Sequence, residues 1–542
     1  MAQTLPWYRT WISVLAASLV LPPVGLLLLW MRPFKGGVLR NLFGLVGKLA
    51  LSGLLVILTL TYLVKLGVLH MEMSGAGWLP IFSLRDPKGD QDALEKHRAQ
   101  MAAAAPARAT PSTNAAVTPA DPAATAAATG GAVSAASGKE AAVVAPAARG
   151  YWTDFRGPNR DGIYTETSVL TAWPTEGLKP LWRQPVGGGY ASFVVAGGVA
   201  FTIEQRRGNE VVAAYDLRSG RELWTNGWPA LFSESMGGDG PRATPTWHEG
   251  KLYALGAAGE FRCLDAASGK MVWSKNILSD NGAQNIMWGM ANSPLIVDDK
   301  VIVTPGGSGG RSVVAYNKLT GERVWGSLDD HAAYTSPAVA NLLGERQLIA
   351  VTAKRMVGLR VETGELLWDF PWTTMYEINS AQPIVVDEQH VFISAGYDHG
   401  SALVKIQKGE RGYSATPVWE NRNLKNRFNS SVLHQGHIYG FDESIFACID
   451  ARTGERKWKG GRYGYGQALL VTGSGPARII VITESGELVL IDPSPGELKE
   501  VARFSAIEGK TWNVPALADG VLLVRNAREM AAFDLKKAEN GK

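Results

Sequence analysis

Between Tyr190 and Trp512 the chain repeatedly sets a cation, an amide or an aromatic ring just before a short apolar run. In order these are Tyr190, Arg242, Asn292, Tyr334, Glu377 with Asn379, Arg427 with Asn429, Tyr465 with Gln467, and Lys510 with Trp512. Gathered in one place, such a mixture can stack on a flat ring, neutralise an anion and hydrogen-bond a polar edge, which suits an anionic planar ligand or a peptide. The plainer reading is that the same residues only hydrate and cap the mouth of an inert scaffold. Other chemistries are poorly served. Cys263 and Cys448 have no Cys or His at the spacings of a zinc site. Ser192, Ser293 and Ser336 lack a G-x-S-x-G setting, and "MGGDGPR" (Met236–Arg242) lacks the G-K-[ST] ending of a phosphate loop. His331 and His399 are isolated loop histidines beside carboxylates and read as surface groups. No catalytic residue and no metal site is expected.

The elements that must position these residues are announced by a repeat. "AAYDLRSGRELW" (Ala213–Trp224) returns as "RCLDAASGKMVW", "VAYNKLTGERVW", "GLRVETGELLW" and "ACIDARTGERKW", ending at Trp273, Trp325, Trp368 and Trp458. In "DLRSG" the glycine supplies a positive φ, Asp216 accepts from the turn amides, and Trp224 can wedge between neighbouring sheets. Cys263 and Cys448 share the repeat slot filled elsewhere by Ala214 and Ala315, and read as small buried strand residues. Each unit opens on a small, often proline-containing start such as "ATPTW", "NSPLIV" or "TSPAVA", then alternates short apolar runs with Gly, Asn and Asp turns. Four strands per unit at this period predict propeller blades. Eight starts can be counted, and the eighth unit runs out before its Trp strand, whereas "LKPLWRQPV" around Trp182 is an orphan outer strand upstream. The expected fold is all-β: an eight-bladed propeller of four-stranded antiparallel blades, closed by that N-terminal strand. The residues singled out above then ring the mouth of its axis.

The amino-terminal part is of another kind. Residues 11–31 and 49–69 are apolar runs long enough to cross a bilayer as helices, joined by a loop bearing Arg32, Lys35, Arg40 and Lys48. The positive-inside rule puts that loop in the cytoplasm and everything after the hairpin on the other side. The net charge of +4 is concentrated here, because residues 1–70 hold six Lys or Arg and no acid. The remainder is close to neutral and shows no basic cluster, which excludes a nucleic-acid grip. From about Asp86 to Gly150 the sequence turns to Ala, Pro, Thr and Ser, too poor in aromatic and branched apolar residues to fold, so a flexible tether reaching roughly 45 Å is expected, with one short helix over 92–104. The organisation expected is thus 1–70 transmembrane hairpin, 71–149 linker and 150–542 propeller.

The A-x-D-x-x-[TS]-G-x-x-x-W grammar resembles the repeat of pyrroloquinoline quinone (PQQ) dehydrogenases and of the cofactor-free propeller lipoproteins of outer-membrane β-barrel assembly. "DFRGPNRDG" (Asp154–Gly162), "GDGPRATPTW", "WGMANSP", "NLKNRF" and "EGKTWNVP" are similar to bacterial PQQ-like propellers, a resemblance covering about Tyr151 to Leu535. For the dehydrogenases it implies an adjacent Cys pair, a Ca²⁺ on carboxylate and amide oxygens, an Asp base and often a C-x-x-C-H haem. This chain has neither the Cys pair nor C-x-x-C-H. The expectation is a non-catalytic binding or scaffold module without cofactor, held in the bacterial inner membrane through 11–31 and 49–69 with its propeller in the periplasm. Its partners would be envelope or membrane proteins or a peptide. The alternative is a membrane-bound quinoprotein oxidoreductase using PQQ with Ca²⁺.

Overall fold

The second and third strands of each unit are almost continuously apolar, as in "LYAL" (252–255) and "FACI" (446–449), while the fourth strands alternate. A strand packed on both faces has no polar side, so these inner strands bury their residues except at the ends, and the fourth strands meet solvent at the rim. In a computed structural model describing residues 22–30, 38–66, 69–73, 80–83, 87–104, 151–234, 236–473 and 475–536, this pattern builds eight antiparallel meanders arranged as propeller blades. Blade 1 comprises Val194–Ala196, Val199–Arg206, Asn209–Asp216 and Glu222–Pro229. Blades 2 to 7 span 246–276, 295–327, 338–371, 384–421, 432–462 and 467–505. Blade 8 takes three strands from the carboxyl-terminal end, Ala516–Ala518, Val521–Arg525 and Glu529–Asp534, and its fourth is Pro180–Pro185, antiparallel to the last of these with Trp182 opposite Ala532.

Two devices join one blade to the next. At the rim, the Trp of one fourth strand docks on the glycine turn of the following blade: the indoles of Trp224, Trp273, Trp325, Trp419 and Trp458 donate to the carbonyls of Ala266, Lys318, Val361, Ala451 and Ser494. Trp182 does the same to Leu217 of blade 1. Around the axis, the hydroxyls of the small-residue starts cap amides of the preceding blade. Ser192 N–H donates to Thr244 Oγ1, Thr244 N–H to Ser293 Oγ, and Ser293 N–H to Ser336 Oγ, at 2.9 to 3.1 Å. The serines that could not make a hydrolase are thus fastenings between blades.

Residues 151–164, read in the sequence only as a family marker, lie across the axis. Trp152 pairs with Val195 of blade 1, Trp247 of blade 2 donates to Thr153, and Ile163–Tyr164 adds a parallel fifth strand to blade 7. Between them Arg160 donates to Pro337 O (2.9 Å), Ser293 O (3.1 Å), Pro294 O and Asp154 Oδ1 (3.0 Å), and Arg156 donates to Ser431 O (2.7 Å). Both arginines are buried, and both take a left-handed backbone, φ 65° and 58°. Their guanidinium groups satisfy carbonyls of the inner strands that the meander leaves unpaired. Burial lowers the pKa of Arg156 to about 10 against the pull of Asp161, so it stays charged at neutral pH.

Before the propeller come α1 (Pro22–Trp30), α2 (Val38–Lys65), a hairpin of His70–Met73 with Pro80–Ser83, and α3 (Pro87–Ala104). Of the two expected spans, Leu45–Lys65 is a helix long and apolar enough to cross a membrane, with a mean hydropathy of 1.8. The first is described only over α1, and the rest of residues 11–31 lies outside the described residues. The stretch expected to be a flexible linker contains the hairpin and α3. That helix starts five residues before the expected 92–104 and packs on the propeller, where Arg98 pairs with Glu222 (2.7 Å) and Arg207 with Asp92 and Glu95 (2.9 and 2.6 Å). A solvated Ala-rich helix gains order from such tertiary contacts, which composition does not reveal.

Candidate functional site

In every blade the first strand runs away from the face where the fourth strand of the previous blade ends. The connections between blades therefore lie on one face, and the residues just before each first strand surround the axis there. Eight of the twelve side chains singled out in the sequence reach this mouth; Asn292, Asn379, Asn429 and Gln467 do not line it, being at most 2 % exposed. Asn379 donates to Thr352 O, Ala353 O and Trp372 O, Asn292 to Thr304 O, and Gln467 to Phe428 O and Trp512 O, while Asn429 Oδ1 accepts from the Arg427 amide. They pin the loops that carry their neighbours. The side-chain oxygens of Asn292, Asn379, Gln467 and Asn513 have no donor among the described residues, leaving buried acceptors under the mouth of the kind internal water satisfies.

The remaining eight fall into a continuous arc and a separate pair of loops. Tyr190 stacks on Trp512 at 5.4 Å, and Lys510 Nζ sits 4.4 Å over the Trp512 ring while donating to Gly237 O at 3.1 Å. The Arg242 guanidinium lies 5.5 Å over Tyr190 and 4.5 Å over Phe232, bonded to Gly238 O (2.6 Å) and paired with Glu234 at 3.3 Å. On the other flank Arg427 sits between Tyr397 (4.5 Å) and Tyr465 (4.9 Å) and pairs with Glu443 at 3.1 Å. Phe428 bridges the flanks, 5.4 Å from Tyr465 and 4.5 Å from Trp512. Across the mouth, Tyr334 packs on Trp288 at 5.5 Å, and Glu377 lies 3.5 Å from His331. His399 is not a bare surface group, because it meets the Trp372 ring edge-on at 4.4 Å.

The electrostatics follow from burial. Desolvation lowers the pKa of Arg242, against the pull of Tyr190 and Glu234, and pushes the Tyr334 phenol up to about 12. Burial also raises Tyr397 and Tyr465, so the phenols stay neutral donors. Sequence reasoning missed Phe232, Trp288, Tyr397, Phe428, Glu234, Glu443 and Glu484. Phe428 and Trp288 had a signal, the first standing between Arg427 and Asn429 in "NRFN" and the second heading "WGMANSP".

The carboxylates of the arc are bonded within it, Glu234 to Arg242, Glu443 to Arg427 and Tyr465, and Glu484 to the Trp512 indole at 2.9 Å, while Glu377 stands apart beside His331. Among the described residues no group of three or more His, Cys, Asp or Glu could hold a metal ion. A calcium-bound quinone needs such a group beside the ring, and these residues do not fit it. What the arc offers is aromatic surface edged by cations and carboxylates, which binds by stacking and charge.

A family model described as outer membrane protein assembly factor BamB matches residues 207–460, the heart of the ring. The domain is a PQQ-like β-propeller. Two curated relatives mark the span of that family. The PQQ-like propeller is 22% identical to the outer membrane protein assembly factor BamB of Burkholderia pseudomallei over 326 residues, 59% of this chain and 78% of that protein. It is 27% identical to the 1-butanol dehydrogenase (cytochrome c) of Thauera butanivorans over 30% of this chain but only 23% of that enzyme's length. In three dimensions it is similar to the quinohemoprotein alcohol dehydrogenase of Comamonas testosteroni, with a TM-score of 0.51 at 15% identity over 73% of this chain and 82% of that one, a likeness of fold alone.

Proposed function

We propose that this PQQ-like propeller is a non-catalytic binding and scaffold module, anchored in the bacterial inner membrane by its amino-terminal helices and exposed to the periplasm. There its mouth receives a segment of an envelope or membrane protein. The observation that carries this reading is the internal pairing of the mouth. Arg242 and Arg427 each hold a carboxylate and two aromatic rings, which leaves a preorganised recognition surface of Trp, Tyr and Arg without a metal-binding group among the described residues. Such residues dominate protein recognition, and their rigidity reduces the entropy lost on binding. The apolar helix Leu45–Lys65 supports the anchor, and the BamB match supports the scaffold role.

A quinoprotein oxidoreductase is the second reading, favoured by the match to the butanol dehydrogenase. The two are separated by titrating the purified full-length protein calorimetrically with PQQ and Ca²⁺ while following dye-linked oxidation of primary alcohols. The scaffold reading expects neither heat nor turnover, together with crosslinks from a photoreactive residue at Tyr190 to an envelope protein in intact cells. Turnover that Arg427→Ala abolishes would establish the oxidoreductase instead.

A further inference from the structure

Helix α3 runs down the outside of the ring along the seam between blades 8 and 1, and its direction is informative. Its first turns are at the mouth face: Asp90 lies 3.4 Å from Arg528, and the Arg207 amide donates to Gln91 Oε1 at 3.2 Å. Both arginines sit in turns between second and third strands, which the meander places on the mouth side. Lower down, His97 meets Gln184 at 3.2 Å, and Met101 and Ala102 reach the Gly220–Arg221 turn on the opposite face, lining a cavity of about 100 Å³ with Leu94 and Tyr215. The chain coming from α2 therefore arrives at the mouth rim.

It arrives on a short lead. Residues 66–86 separate α2 from α3, and within them His70 pairs opposite Ser83, so the hairpin between contributes almost nothing to reach. The path from Leu66 to Pro87 then spans at most about 34 Å. Helix α3, with 18 residues, is itself about 27 Å long. Were the opposite face nearer the bilayer, this lead would have to run the height of the ring drawn out straight before α3 doubled back.

The mouth face also carries the apolar tips. Leu231, Met236, Met287, Met375 and Tyr376 are 42 to 72 % exposed, and all lie on connections between blades. Among the described turns of the opposite face Leu319 is exposed, and Met271 and Leu366 are exposed on the outer rim where fourth strands leave those turns. Tyr376 and Glu377 both adopt left-handed backbone, φ 62° and 58°, an unfavourable conformation that holds Tyr376 outward. Tyrosine and methionine at loop tips suit the boundary between headgroups and acyl chains, where an apolar body and a polar end are both accommodated.

We propose that the mouth face lies against the bilayer entered by α2, with Leu231, Met236, Met287, Met375 and Tyr376 seated among the lipid headgroups, so that the mouth opens toward the membrane surface. This rests on the reading of α2 as a membrane span. The test uses full-length protein in nanodiscs of phosphatidylethanolamine and phosphatidylglycerol containing a headgroup-nitroxide lipid, with bimane attached at Tyr376→Cys, Met287→Cys or Leu319→Cys. Cys263 and Cys448 are buried, so labelling is confined to the introduced thiol. Positions 376 and 287 should lose most of their fluorescence and 319 should keep it. Protein stripped from membranes by alkaline carbonate would overturn the anchor itself. Protein that stays but is quenched equally at all three positions, or more at 319, overturns the orientation alone. Quenching at 376 that is absent in these nanodiscs, with the label shielded only in native membranes, overturns the bilayer as the occupant in favour of a membrane protein.

Discussion

The indole of Trp273, on the outer strand of blade 2, donates 3.1 Å to Lys318 O and covers Gly321 so closely that a Cβ there would stand 2.9 Å from the ring. The glycine is needed twice, for its φ of 73° and for the room it leaves. One blade's aromatic residue thus requires the next blade's lack of a side chain, which is why the repeat conserves its spacing within this single chain as a unit of assembly and not of catalysis.

Gly321→Ala is expected to lower stability by about 2–3 kcal/mol, from left-handed strain and the displaced ring, and Trp273→Ala by about 3 kcal/mol. The double variant should cost less than the two combined, because they remove one contact. Denaturant unfolding followed by far-UV circular dichroism measures all three. Trp368 is the internal control. Its indole bonds Gln347 of its own blade at 2.7 Å and its ring packs among core residues of blades 4 and 5, so Trp368→Ala should destabilise without coupling to a change at Gly409, where an added Cβ would meet nothing within 4 Å.

Ser293 accepts the Thr244 amide and passes its own amide to the Ser336 hydroxyl while 1 % exposed. Ser293→Ala leaves a buried N–H without its acceptor, at a cost of about 1–2 kcal/mol. Amide exchange should accelerate first at residue 244, which mass-resolved exchange of that peptide checks.

The repeat, the blade number and the mouth's position were legible because each follows from local rules: a positive-φ turn, a period of two, and a meander that returns every first strand to the same face. The roles of Asn292, Asn379, Asn429 and Gln467 were not. An amide before a strand can face a ligand or hold a carbonyl with equal chemistry, and only packing decides between them. Tyr397, Trp288 and Phe232 lie in irregular connections whose course no periodicity sets. The arginines of "DFRGPNRDG" were harder still, since arginine is almost never fully buried without a partner, and beyond the nearby Asp154 and Asp161 the carbonyls they meet lie more than 130 residues away.

Arg160 shares its burial with Asp154, whose pKa is raised by desolvation against the pull of Arg160. Arg160→Ala strands that carboxylate among inner strands and should destabilise by about 3–5 kcal/mol. Adding Asp154→Asn removes the stranded charge and should recover part of the loss, read from the same unfolding curves.

The thiols of Cys263 and Cys448 are pushed up by burial to about 11 and about 12, from 9.0 in the open chain. The unfolded state therefore sheds these protons first, and stability falls as pH rises from about 9 through 11 to 12. A Cys263→Ala, Cys448→Ala variant should lose less stability over that window than the parent. Native protein at pH 7 should also resist iodoacetamide, which mass spectrometry would confirm.

The stretch that crosses the axis turns the wheel into a cup with a floor. A polypeptide cannot thread such a vessel from side to side, and whatever enters must present a free end or a tight bend and withdraw by the route it came. Capture would then be reversible by construction, favouring a holder that releases its cargo over a conduit that passes it on.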